Sequence, residues 1–313
     1  MKLLVLGLNP AWQRLFVLPK LTLGAVHRLQ NPIEHASGKG INLVRVLQRQ
    51  NMASQLLQFS GGNKGQKICA ELNYIQTHFH NIETEGETRI CTTLSTQDGE
   101  STELIEPSQT LTAAEVESFF AAFVEMSRVA NCVALCGTAP KGFPWDRLCA
   151  QDLQGKQLYL DAWQGVSPWL ERGVHLLKIN SEELGFLLGE SAHHEVADVF
   201  AQGKNALARW PIKTLVVTQG SRRVIVFTRE KILTLYPPKP RRFVNAIGAG
   251  DSFLAGWISA DAESLPLPQC LARAVAVSSV RIECELPWQV DVERAREIEL
   301  ESLARIGETP WDS

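Results

Sequence analysis

From residue 112 onward, short apolar runs alternate with helix-compatible segments, and few topologies satisfy that order. Thr112 starts a helix, with Glu115 at capping-box spacing. Cys132–Cys136 reads as a strand ended by Gly137, followed by a helix over 144–152. Gln157–Leu160 is a strand ending at Asp161, and His175–Ile179 is one ending at Asn180. Ser181 then caps a helix that runs to Leu188 and stops at Gly189. A helix near 196–209, a strand at 214–218, a hairpin over 222–236 and helices near 268–283 and 291–304 continue the series. Strands alternating with helices imply a mostly parallel sheet covered on both faces. The expected fold class is therefore α/β, with one domain spanning 1–313. Ligands of such sheets sit beyond the carboxyl ends of the strands. Asn9, Gly137, Asp161, Asn180 and Gly220 all stand there.

The first third is less uniform. Residues 2–8 read as a buried strand rather than a signal peptide, because the apolar run is short and Asn9-Pro10 follows at once. Extended pieces are expected at Arg14–Leu18 and Val26–Leu29. Gly38-Lys39-Gly40 precedes a helix that places Ile41, Val44 and Leu47 on one face. A strand over Gln55–Phe59 ends at Gly61-Gly62, and 64–77 is helical. Glu87–Leu94 and Thr102–Ile105 are joined across Gln97-Asp98-Gly99, a hairpin signal. With the pieces before residue 30, this hairpin makes a small β-layer apart from the main body.

Composition excludes several functions. A formal net charge of −3 gives no support to a nucleic-acid partner. No apolar run approaches the ~20 residues of a membrane span. The seven cysteines are odd in number and lack zinc-finger spacing, which fits a reduced cytoplasm. The seven histidines form no metal cluster, and His193-His194 stands in a polar, solvated stretch.

The chemistry points to Asn245–Phe253. Gly248, Ala249 and Gly250 precede Asp251, which opens an apolar helical run. Glycines permit close approach of a ligand, and a helix start offers unpaired N–H groups and partial positive charge. Together they suit a phosphate. An acid at the lip of an anion site makes sense if it takes the proton of a hydroxyl attacking that phosphate. The alternative is that Asp251 merely caps the helix.

The order of the motifs resolves the choice. Asn9-Pro10-Ala11 follows the first strand, and Ser37-Gly38-Lys39-Gly40-Ile41-Asn42 opens the first long helix. Thr88-Arg89 lies on the hairpin, and Leu177-Lys178-Ile179-Asn180-Ser181-Glu182-Glu183-Leu184 follows a strand. Gly248-Ala249-Gly250-Asp251-Ser252-Phe253 comes near the end. Across almost its whole length the chain resembles the PfkB branch of the ribokinase-like sugar kinases, and within it the sugar-phosphate kinases. That resemblance implies an ATP- and Mg²⁺-dependent kinase of a small sugar phosphate. Asp251 would be the base, and the amides of Gly248, Ala249 and Gly250 would form the anion hole. Lys39 and Arg89, with Arg28, would hold the phosphate already on the substrate, beside Gly38, Asn42 and Gln13. Lys178, Thr218 and Gly220 would lie on the nucleotide side, and Asn180 and Glu183 would place Mg²⁺ through water. The β-layer, about 11–30 and 87–106, would close as a lid and pair two subunits into a homodimer.

Departures cluster on the acceptor side. The family's aspartate after Asn-Pro-Ala-Ile is Gln13, and its lid asparagines are Cys91 and Ile105. Losing a charged acceptor at Gln13 weakens sugar binding by roughly 1.5–3 kcal/mol, or marks a pocket rebuilt for another sugar. Ser37 replaces a glycine, and Ala246 replaces a threonine before the anion hole. Two other readings stay open: a non-catalytic sugar-phosphate or nucleotide sensor, and a kinase of an unphosphorylated sugar or nucleoside.

Overall fold

The computed structural model describes residues 2–96, 100–189 and 199–311. In chain order the first half comprises β1 Leu3–Leu6, β2 Ala11–Leu18, β3 Ile33–Ser37, α1 Lys39–Arg49, β4 Ser54–Gly61, α2 Gly62–Tyr74, β5 Phe79–Thr84, β6 Ile90–Thr96 and β7 Ser101–Ile105. Next come α3 Ala113–Val129, β8 Cys132–Cys136, α4 Trp145–Cys149, β9 Gln157–Asp161, α5 Ser167–Arg172, β10 Val174–Asn180, α6 Ser181–Leu188 and α7 Val199–Arg209. The last part comprises β11 Ile212–Thr218, β12 Val224–Phe227, β13 Lys231–Leu235, α8 Ala249–Ala262, α9 Leu267–Ile282, α10 Val292–Leu303 and β14 Gly307–Pro310.

Among the described residues the main sheet runs β14-β13-β12-β11-β10-β9-β8-β1-β4-β5. The seven strands from β11 to β5 are parallel, and the last three at the other edge are antiparallel. Side chains alternate across a strand, so each strand feeds two cores. Leu4, Leu6, Leu57, Phe59, Val133, Leu135, Leu215 and Val217 fill one layer. Leu3, Val5, Leu56, Cys132, Ala134, Cys136 and Val216 fill the other. The second core receives α8, which is buried from Asp251 through Ala260 and lies against α9. Such a helix reads as apolar all round because it has protein on every side.

The small β-layer is a separate sheet ordered β3-β2-β6-β7. β2 pairs with β6 in parallel, and β6 pairs antiparallel with β7. It therefore extends to Ser37, and the expected extended piece at Val26–Leu29 is absent. The segment joining β2 to β3 has no strand partner, and Leu23 and Val26 there are exposed. β3, β5, α5 and β14 are additions to the sequence reading. The cap of α6 also differs. Asn180, not Ser181, is the N-cap, in a reciprocal capping box with Glu183. Gln97-Asp98-Gly99, His193-His194 and the start of the helix expected near 196 lie outside the described residues.

One close approach ties this scaffold to the site. A Cβ on Gly40 would stand 2.4 Å from the Gly7 Cα and 3.0 Å from its nitrogen. α1 therefore rests backbone to backbone on the end of β1, which sets Lys39 and Asn42 above the strand ends. Gly40→Ala is expected to destabilise the fold by roughly 1–3 kcal/mol, read as a lower urea midpoint. A midpoint equal to the parent's would show that α1 can lift from β1 freely.

Candidate active site

Asp251 is not a cap. The N-cap of α8 is Gly248, in the left-handed region at φ 75, and no side chain caps it. A Cβ at Gly248 would also meet the Pro287 Cβ at 3.0 Å. Asp251 sits in the first turn, buried, and its Oδ2 accepts a 2.7 Å bond from Asn42 Nδ2. Ser37 Oγ donates to Asn42 Oδ1 at 3.5 Å. Asn42, expected among the substrate ligands, thus holds the carboxylate. The Ala249 N–H donates to the Ala246 carbonyl at 3.1 Å, so that donor is already engaged. The Ser252 N–H makes the first helical bond, to Gly248 O at 2.9 Å. The N–H groups of Gly250 and Asp251 have no acceptor within their own helix and carry its positive end.

A second acid organises the strand ends. Asp161, at the end of β9, is buried and accepts from Lys178 Nζ at 2.8 Å through Oδ2 and from Lys39 Nζ at 2.8 Å through Oδ1. Burial works against its ionisation, but the two ammonium groups outweigh that and hold its pKa below the usual carboxylate range. Burial likewise works against the Lys39 charge, and Asp161, Glu183 and Asp251 together raise its pKa instead. Sequence reading placed Asp161 at a strand end and gave it no role; the signal was its position. Lys178, expected on the nucleotide side, is buried beside this acid. A Cβ on Gly250 would lie 3.0 Å from its Nζ.

Two cavities flank this line. One, of about 210 Å³, is lined by Gly38, Lys39, Arg89, Ile105, Gly137 and Thr138 among others. Arg89 donates through one terminal nitrogen to the Asn9 carbonyl at 3.0 Å. Its Nε is buried with no hydrogen-bond partner, which leaves a donor for an anion. Gln13 does not line this cavity; its amide donates to Thr93 Oγ1 at 2.9 Å. Arg28 is exposed on the segment between β2 and β3 and does not line it either. The other cavity, about 310 Å³ and largely apolar, is lined by Thr218, Gly220, Val224, Phe243, Ala249, Gly250 and Phe253 among others. Its size and lining suit a flat heteroaromatic ring.

Asn180 Oδ1 accepts from the Glu183 N–H at 2.8 Å, and Glu183 Oε2 accepts from the Asn180 N–H at 2.9 Å. These two residues start α6, and Glu183 Oε1 is left over, 3.8 Å from Lys39 Nζ. Among the described residues no group of three His, Cys, Asp or Glu side chains could cage a metal directly. That donor set fits a hard cation carried on phosphates, with water between it and the protein.

A buried carboxylate beside open helix-start amides, between a cavity lined by Lys39 and Arg89 and an apolar one, is an arrangement suited to phosphoryl transfer. The chain belongs to the pfkB family of carbohydrate kinases, whose family pattern matches residues 15–287. The 1-phosphofructokinase of Bacillus subtilis strain 168 is 29% identical over 279 residues, covering 87% of this chain and 89% of that protein. A tagatose-6-phosphate kinase of Staphylococcus epidermidis is 27% identical over 266 residues, covering 82% and 84%. Escherichia coli phosphofructokinase-2, solved with substrates and products, superposes with a TM-score of 0.86 at 20% identity, covering 96% of this chain and 99% of that one.

Burial, reinforced by Asp161, raises the Asp251 pKa from 3.8 to about 6, against the pull of Lys39, Asn42 and Lys178. Between those values the fold keeps a proton that the unfolded chain has lost. Stability therefore falls as pH rises through this window, and above pH 6 ionised Asp251 costs up to roughly 3 kcal/mol. Asp251→Asn is expected to be more stable than the parent at pH 8, with the difference vanishing near pH 4. Thermal unfolding at the two pH values checks this; a variant less stable at pH 8 would mean that the surroundings favour the charge.

Proposed function

We propose that this carbohydrate kinase transfers the γ-phosphoryl group of ATP to a hydroxyl of a hexose phosphate, such as fructose 1-phosphate, fructose 6-phosphate or tagatose 6-phosphate. The observation that carries the reading is the Asp251 carboxylate, buried and aimed by Asn42, beside the open amides of Gly250 and Asp251. With a pKa near 6, Asp251 is ionised at neutral pH yet basic enough to take a proton. The sugar oxygen attacks the γ-phosphorus as its proton passes to Asp251 Oδ. The bond from that phosphorus to the β,γ-bridging oxygen breaks, and ADP leaves with the electron pair. The helix-start amides and Lys178 face the charge on the transferring group. Arg89 and Lys39 grip the phosphate already on the acceptor, and the adenine lies in the apolar cavity by Thr218 and Gly220.

Mg²⁺, bound with the nucleotide, would neutralise phosphate charge, with Glu183 Oε1 and Asn180 reaching its waters. The similar kinases named above act on sugar phosphates, which supports a phosphorylated acceptor here. Apolar Ile105, where the family pattern has an asparagine, then makes the wall of the acceptor cavity less polar, and Gln13, tied to Thr93, stands outside that wall.

The lid excludes water as it closes. Its edge strand β7 is exposed throughout, and Val17, Leu104 and Ile105 are among its exposed apolar side chains. Such an edge calls for a cover, and we assign it to the lid of a second subunit. No described helix is long and apolar enough to cross a membrane. The free cysteines support a reducing compartment such as the cytoplasm.

An ADP-release screen with MgATP against sugar phosphates and free sugars tests the reading. Turnover is expected on a phosphorylated sugar only, and Asp251→Asn should lower kcat by roughly a thousandfold or more. Arg89→Ala should raise the sugar-phosphate KM at least about tenfold and leave the ATP KM within about threefold. Activity on a free sugar would remove the phosphate grip, and ATP binding without turnover would favour a sensor. For the assembly, Leu104→Arg should convert a dimer to a monomer in light scattering; a parent that is already monomeric would end that proposal.

A further inference from the structure

Arg281, on α9, is a fully buried arginine with no carboxylate within ion-pair distance among the described residues. A charge taken out of water without a counter-ion is costly and must be met by fixed dipoles. Here oxygens meet it. Nε donates to the Ile247 carbonyl at 2.8 Å, one terminal nitrogen to the Cys284 carbonyl at 2.6 Å, and the other to Asn245 Oδ1. Asn245 is itself buried. Its Oδ1 also accepts from the Ile247 N–H at 3.1 Å, and its Nδ2 donates to Glu285 O at 3.1 Å. Those oxygens come from two segments, the turn before α8 and the turn after α9. Left without a cation, they would face one another with like partial charge. Carbonyl and amide oxygens converging in this way are also the donor set of a hard monovalent metal ion.

We propose that Arg281 is a positioning residue, a permanent internal cation that clamps residues 245–247 and so fixes the Gly248–Asp251 anion hole without any monovalent metal ion. Ile247 O, which it holds, lies one residue before the left-handed Gly248 that starts α8. The direction of the open Gly250 and Asp251 amides therefore depends on this clamp. Its positive charge also stands behind the anion hole, where phosphoryl charge gathers during transfer. Ser278, three residues earlier on α9, adds a second tie by donating to Ala249 O at 2.9 Å. The inference rests on the phosphotransfer reading, and its test separates the two.

Turnover of the parent chain is measured with MgATP and its best sugar phosphate at equal ionic strength in tetramethylammonium chloride and in potassium chloride. The rates are expected to agree within about twofold. Activation by potassium of about tenfold or more would overturn the inference while leaving the kinase reading intact. A parent with no turnover on any acceptor would remove the kinase reading itself. Arg281→Met should lower kcat by roughly a hundredfold with the sugar-phosphate KM within about threefold, since the clamp serves the transferring group. Arg281→Lys, which keeps the charge, should recover much of that loss. A folded Arg281→Met with the parental kcat, or a Lys variant as impaired as the Met variant, would overturn the inference. Should both variants fail to fold, the salt comparison on the parent still decides it.

Discussion

The site depends on one buried carboxylate that must not stand alone. Asp161 is removed from water at the end of β9 and survives there as an anion because Lys39 and Lys178 both donate to it. This bond set joins three separate stretches of chain: the start of α1, the end of β9 and the end of β10. It also fixes the field felt by Asp251, whose pKa is raised by burial and by Asp161 and lowered by the two lysines. Removal of either lysine would therefore change the surroundings of Asp251 as well as the support of Asp161.

The sheet supplies the geometry for that cluster. In a parallel sheet the strand ends lie along one edge, and the register of β8, β9, β10 and β11 brings Cys136, Asp161, Asn180 and Thr218 there. Helix starts point at the same edge. α1 and α8 each bring an N-terminal turn with a glycine beside it, and Asn42 of one bonds Asp251 of the other. The small sheet hangs from this edge through β2 and β3, with Arg89 just before β6 reaching back to Asn9.

Much of the layout was legible from local pattern. Cys132–Cys136 matches its strand residue for residue, and Thr112 with Glu115 forms the expected capping box, because burial alternation and capping are properties of a few neighbouring residues. β3 and β5 were not legible, since their sequences are polar enough to read as connections until a partner strand satisfies their backbone. Val26–Leu29 failed in the opposite sense: β-prone residues with no partner strand remain exposed.

For the site, the sequence alone determined the residue types and their order: the glycine turn with its acid, the lysine of the first long helix and the arginine of the hairpin. Those follow from what phosphate chemistry requires of a short stretch of chain. Tertiary structure alone decided the pairings. Asn42 belongs to Asp251, Lys178 to Asp161, Gln13 to Thr93, and Arg281 to a cage of oxygens from two turns. Each joins residues distant in the chain, and a buried polar group takes whichever partner the packing brings within reach. Sequence separation carries no record of that distance.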